Sequence, residues 1–88
     1  MKVSVEISKY PLHQDYIPYI QGFIDRLNQH EQIKVNTNVM STQIFGDYDV
    51  VTDIINQEMK RSFAAYGKCI FVCKYIAGDL SQRQGDID

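Results

Sequence analysis

The apolar residues of this chain switch between two spacings, and the order of the switches is its strongest constraint. Val3, Val5 and Ile7 alternate with Ser4, Glu6 and Ser8, the period-two pattern of a strand with one apolar face. Tyr10-Pro11 ends it, because proline has no N–H for a ladder. Ile17, Ile20, Phe23, Ile24 and Leu27 then recur at helical spacing, with Asp15 placed to cap the helix and Pro18 in its first turn. Val35, Thr37 and Val39, followed by Met40, Thr42 and Ile44, return to alternation. They predict two short strands joined by a tight turn near Asn38-Val39, the second broken by Gly46. Val50, Val51, Ile54, Ile55, Met59 and Phe63 mark a second helix, capped by Asp47 or Asp49 and stopped at Gly67. Residues 68–76 form a last strand, with Cys69, Phe71, Cys73 and Tyr75 on one face and Ile70, Val72 and Ile76 on the other.

The order β-α-β-β-α-β is the ferredoxin-like split βαβ arrangement, an α+β fold with a four-stranded antiparallel sheet and two helices on one face. At 88 residues the chain is one domain. Residues 1–80 form it, and 81–88 are a polar tail. A sheet covered on one side only should be polar on the other. Here the last strand is apolar on both faces, and Tyr10 and Phe45 add to the uncovered side. This predicts a second copy lying on that face, as a homodimer or a dimer of dimers.

Charge excludes some partners. The net charge is −2 and the pI about 5.5, and the lysines are scattered, which does not suit a phosphate backbone. The third strand, Met40 to Gly46, has none of the basic, glycine-and-aromatic character of an RNA-recognition strand. No apolar run approaches the ~20 residues of a membrane span. The first residues alternate as a strand and not as a signal peptide, so the expected location is the cytoplasm. Cys69 and Cys73, four apart on a strand, stand roughly 13 Å from each other, too far for a disulfide. They read as reduced, buried thiols.

The stretch Met40-Ser41-Thr42-Gln43-Ile44-Phe45-Gly46-Asp47-Tyr48-Asp49 gathers hydroxyls, aromatics and carboxylates at a strand-to-helix junction. Such a junction exposes backbone N–H groups and suits a small-molecule contact, although a plain βα loop would look similar. Glu6 is expected on the helix-free face, where covering it would demand a cationic or donor-rich partner. Ser41 and Thr42 could bond a heterocycle or simply sit on a strand surface. Tyr10 and Tyr48 could stack on a ring or a cation. No phosphate loop, GxSxG, CxxC or HExxH motif is present. The expectation is binding without catalysis, with no metal and no cofactor.

Four ordered pieces, Ser8-Lys9-Tyr10-Pro11-Leu12, Asp15-Tyr16-Ile17, Met40-Ser41-Thr42 with Gly46, and Gly78-Asp79, resemble the YkoF family of thiamine/hydroxymethylpyrimidine-binding proteins. The resemblance implies a ferredoxin-like, non-catalytic binder of the pyrimidine moiety of thiamine, associated with vitamin uptake or salvage. Two-domain members carry the unit twice; this chain carries it once, and a homodimer would restore the pair. With the resemblance, the expected ligand-binding residues are Glu6, Ser8, Tyr10, Ser41, Thr42, Asp47 and Tyr48. The alternative is a small-molecule-sensing regulatory or assembly module of the same fold.

Overall fold

The structure is a computed structural model and describes residues 1–12 and 17–81. The elements run β1 (Lys2–Pro11), α1 (Ile17–Asn28), β2 (Lys34–Thr37), β3 (Thr42–Asp47), α2 (Tyr48–Tyr66) and β4 (Cys69–Ala77). The sheet is antiparallel with order β2-β3-β1-β4, so the expected ferredoxin-like arrangement is the one observed. Asp15 and Tyr16, expected to open α1, lie outside the described residues, as do positions 82–88 of the tail.

Alternation along β1 sends Val3, Val5 and Ile7 into the core, where they meet Phe23 and Leu27 of α1, Ile44 of β3, and Val51, Ile54 and Ile55 of α2. Ile33, just before β2, joins them. Ser4, Glu6, Ser8 and Tyr10 face the other way, in register with Ile76, Lys74, Val72 and Ile70 of β4. Phe45, opposite Ser4, shares that uncovered face. The segment after β4 folds back at one end of it: Ser4 Oγ donates to the Gly78 carbonyl at 2.7 Å and accepts from Leu80 N–H at 2.9 Å. Ile70, Val72 and Ile76 stay about half exposed.

Three local expectations are corrected. The β2–β3 connection is not a turn centred on Asn38-Val39, and Val39 and Met40 are not in strands. A loop of Asn38, Val39, Met40 and Ser41 joins Thr37 to Thr42. The Asn38 carboxamide oxygen accepts from the N–H groups of Met40 (2.8 Å) and Ser41 (3.1 Å). This side-chain turn lets the loop close with no residue at positive φ. Gly46 does not break β3, which runs through it to Asp47. Its missing side chain lets α2 lie close, since a Cβ there would stand 3.1 Å from Val51 Cγ2. Asp47 holds the N-cap position of α2 but makes no side-chain cap. The Tyr48 N–H instead donates to the Met1 carbonyl at 2.9 Å, while Asp47 pairs with Lys2 at 3.0 Å. Gly67 does end α2, at φ +76°, its N–H on the Phe63 carbonyl.

The buried side of α2 also carries two polar residues that its apolar spacing conceals, Glu58 and Ser62. Glu58 is 1% exposed. Arg26 Nε reaches Oε1 at 2.8 Å, and His30 Nε2 reaches Oε2 at 3.1 Å. Burial pushes the Glu58 carboxyl up, but the hydrogen bonds from His30 and Arg26 and the charges of Arg61 and Arg26 outweigh it and hold the group below its usual range. Ser62 accepts from Arg26 Nη2 at 3.1 Å. The two helices are thus joined by ions as well as by hydrocarbon.

Candidate functional site

The site follows from a mismatch in strand length. β1 pairs with β4 as far as Pro11 but with β3 only as far as Ile7, opposite Thr42. Beyond that point β1 and the 38–41 loop diverge and leave a fork in the sheet. An open cleft of about 440 Å³ fills it, walled by residues 7–11 of β1 and 37–42 of the hairpin and floored by Ile20, Phe23 and Ile24 of α1.

Ladder parity adds main-chain groups to this cleft. The Gly78 N–H donates to the Lys2 carbonyl, so Lys2 and every second residue of β1 turn their main chain toward β4. The residues between, from Val3 to Lys9, turn theirs toward β3. At Lys9, β3 has already ended. Its N–H and C=O therefore face the fork with no strand opposite among the described residues, a donor and an acceptor side by side.

The Lys9 side chain goes elsewhere. It follows Ile7 on the inner face, and its ammonium donates to the Tyr19 carbonyl at 3.0 Å and to Ser62 Oγ at 3.4 Å. It lies 5.2–5.6 Å from the ring centroids of Phe23, Tyr66 and Phe71. Burial lowers its pKa, helped by Arg26 and opposed by Cys69. Ser62, Tyr66 and Phe71 do not line the cleft, whereas Phe23 and Lys9 itself do. No other described lining residue is charged, and the cleft offers hydroxyls, an amide and hydrocarbon.

Among the described residues, an acid stands at the rim. Glu6, on the uncovered face, accepts from the Ser41 hydroxyl at 2.9 Å, and Gln43 Nε2 donates to Ser41 Oγ at 2.8 Å. Its other oxygen is 3.6 Å from Lys74 Nζ, and both side chains are open to solvent. Thr42 is buried in the wall, its hydroxyl 3.2 Å from that of Thr37.

Of the seven expected ligand residues, Ser8, Tyr10, Ser41 and Thr42 line the fork, and Glu6 is tied to it through Ser41. Asp47 and Tyr48 are at the other end of β3, roughly 17 Å away along the strand. The structure does not bring them to this cleft. The floor residues Ile20, Phe23 and Ile24, the loop residues Asn38 and Val39, and the Lys9 main chain were not anticipated. Ile20 to Ile24 were legible as an apolar stripe, but nothing in the pattern says that part of a stripe is left uncovered. Among the described residues no group of three or more His, Cys, Asp or Glu side chains could hold a metal ion.

Comparison with known proteins places the chain. The family model described as the YkoF-related family matches residues 2–77. The chain belongs to the YkoF-related family. Several solved structures share the fold of this YkoF-related chain. A Streptococcus pneumoniae protein matches with a TM-score of 0.84 at 21% identity, covering 100% of both chains. A Thermotoga maritima protein, assigned provisionally to thiamine biosynthesis or salvage, matches with a TM-score of 0.81 at 16% identity, over 97% of this chain and 95% of that one. A hypothetical protein of Methanocaldococcus jannascii matches with a TM-score of 0.77 at 20% identity, over 96% and 91%. At such identities these likenesses establish the fold alone. No curated protein matches the sequence.

Proposed function

We propose that this YkoF-related protein binds thiamine or its hydroxymethylpyrimidine moiety, without catalysis, in vitamin B1 uptake or salvage in the cytoplasm. The observation that carries the reading is the fork: a cleft of about 440 Å³ whose one charged lining residue among those described is Lys9, with the Lys9 main chain facing it opposite no described strand. That volume lies in the usual range of small-ligand sites. An aminopyrimidine edge carries an amino donor beside a ring-nitrogen acceptor, the complement of one strand residue's C=O and N–H. Phe23 and Ile20 supply apolar floor for the ring, and Ser8 and Ser41 supply hydroxyls for the hydroxymethyl group. Glu6, at the rim and open to water, suits the thiazolium cation when the whole vitamin is bound. Family membership and the Thermotoga maritima neighbour's assignment support the thiamine-related part of the reading.

In this reading a second copy covers the uncovered sheet face, as a homodimer or dimer of dimers. The half-exposed Ile70, Val72 and Ile76 beside Tyr10 support that packing.

Crystals soaked with hydroxymethylpyrimidine test the assignment. Ring density between the Lys9 main chain and the 38–41 loop is expected. Density seated elsewhere, with the fork filled only by water, would contradict it.

A further inference from the structure

Residues 8–11 of β1 form a wall with a ladder on one side only. They pair with β4, while the pairing with β3 stops at Ile7, opposite Thr42. Among the described residues no strand replaces β3 there. A strand that presents the Lys9 N–H and C=O to a ligand at fixed spacing needs support that half a ladder does not supply. The inner face of β1 carries that support.

The Lys9 side chain spans from β1 to both helices. Its ammonium donates to the Tyr19 carbonyl of α1 at 3.0 Å and to Ser62 Oγ of α2 at 3.4 Å. One ring from each neighbouring element, Phe23 of α1, Tyr66 of α2 and Phe71 of β4, flanks it at 5.2–5.6 Å. Ser62 is fully buried and is held in its turn. It accepts from Arg26 Nη2 at 3.1 Å, and Arg26 Nε donates to Glu58 Oε1 at 2.8 Å. A continuous run of hydrogen bonds thus leads from the ion pair between the helices to the wall of the cleft. Among the described residues no carboxylate stands within ion-pair distance of Lys9. A methionine would fill the same space without desolvating a charge, so packing alone does not call for a lysine.

We propose that the Lys9 side chain is a positioning residue for the fork: tied to Tyr19 and Ser62, it braces its own main chain where the N–H and C=O meet the ligand ring. The ring's place rests on the binding reading above, and the brace rests on the contacts of the free protein. Ser62 does not line the cleft. It acts through Lys9, and Arg26 and Glu58 act through Ser62.

Lys9→Met tests it, because it removes the ammonium and keeps a hydrocarbon stem among the three rings. The first readout needs no ligand. The Tyr10 N–H, which the alternation along β1 directs at β4, should exchange with solvent at least about fivefold faster in the variant, while Val3 and Val5 keep their wild-type rates. The second is calorimetry. Hydroxymethylpyrimidine and thiamine should each lose about tenfold in affinity, by one common factor because the shared ring meets the main chain, with Tm within a few degrees of wild type. A merely structural lysine would lower Tm and leave the affinity of the folded protein alone. Ser62→Ala cuts one of the two ties and should move both readouts the same way by about threefold, including where Lys9→Met does not fold, and should cost nothing further in a Lys9→Met background. Wild-type Tyr10 exchange in folded Lys9→Met, or undiminished hydroxymethylpyrimidine affinity, would overturn the proposal. So would tighter thiamine binding with hydroxymethylpyrimidine unchanged, which would make Lys9 a repelling charge and not a brace. If the wild type binds neither compound, the binding reading fails, and the exchange comparison still decides whether Lys9 holds the wall.

Discussion

Ser41 and Glu6 meet across the mouth of the fork, the serine hydroxyl donating to the carboxylate at 2.9 Å. One belongs to the hairpin loop and the other to the central strand, and their bond fixes how far the loop stands from β1. Removing it should widen the cleft without unfolding the chain. For Ser41→Ala we expect thiamine affinity to fall about five- to tenfold, the worth of an ordinary hydrogen bond of about 1–1.4 kcal/mol. Calorimetry on the variant and the wild type checks this, with a melting temperature unchanged to within a few degrees as the control. Glu6→Gln should weaken thiamine more than hydroxymethylpyrimidine, because only thiamine carries the cation.

Asp47 and Tyr48 provide the contrasting case. Both lie at the far end of β3, and Asp47 is engaged with Lys2 in a pair whose side chains are mostly solvent-exposed. Asp47→Ala should leave ligand affinity within twofold of wild type. Its effect on stability should be below about 0.5 kcal/mol, as for most surface ion pairs. A tenfold affinity loss would move the site to the other end of the sheet.

Glu58 makes stability depend on acid. Its carboxyl is held below the ordinary value of 4.5 by His30, Arg26 and Arg61. A carboxyl lowered on folding stabilises the protein fully above its unfolded pKa, and the stabilisation is lost as pH falls from there through the folded value. Urea titrations should therefore show this contribution constant above pH 4.5 and declining below it. Glu58→Ala should cost about 3 kcal/mol at pH 7, since it leaves Arg26 partly buried without its carboxylate, and it should flatten the acid limb.

Gly46 tests the packing of α2 on β3. Gly46→Ala places a methyl 3.1 Å from Val51 Cγ2 and 3.5 Å from Ile33 Cγ2. A loss of about 1–2 kcal/mol is expected from overpacking, or a fall of roughly 4–15 °C in Tm for a domain of this size. In the double variant with Val51→Ala the two losses should fall short of additivity by at least about 0.5 kcal/mol.

The element order was legible because each segment keeps one period. Val3, Val5 and Ile7 could only be a half-buried strand, and Gly67 could only stop a helix. The alternation that puts Tyr10, Phe45, Ile70, Val72 and Ile76 on the uncovered face was equally plain. What stayed hidden depends on distance in space. Thr42 and Asp47 are neighbours in a ten-residue motif, yet a strand holds them apart, so a motif read as one site divides between two ends of a sheet. Gly46 looked like a breaker because a glycine that ends a strand and one that admits a helix are the same letter. Glu58 and Ser62 were invisible as core because their partners, Arg26 and His30, come from the other helix.

The measurement that bears most directly on the account is calorimetric titration of the wild type and Ile24→Trp, in which an indole would fill the floor of the fork. Thiamine and hydroxymethylpyrimidine should both bind the wild type, a thiazole alcohol should not, and Ile24→Trp should lose both ligands while keeping its fold. No heat from the first two at millimolar concentration, or undiminished binding to folded Ile24→Trp, would contradict the claim that the fork holds the pyrimidine ring.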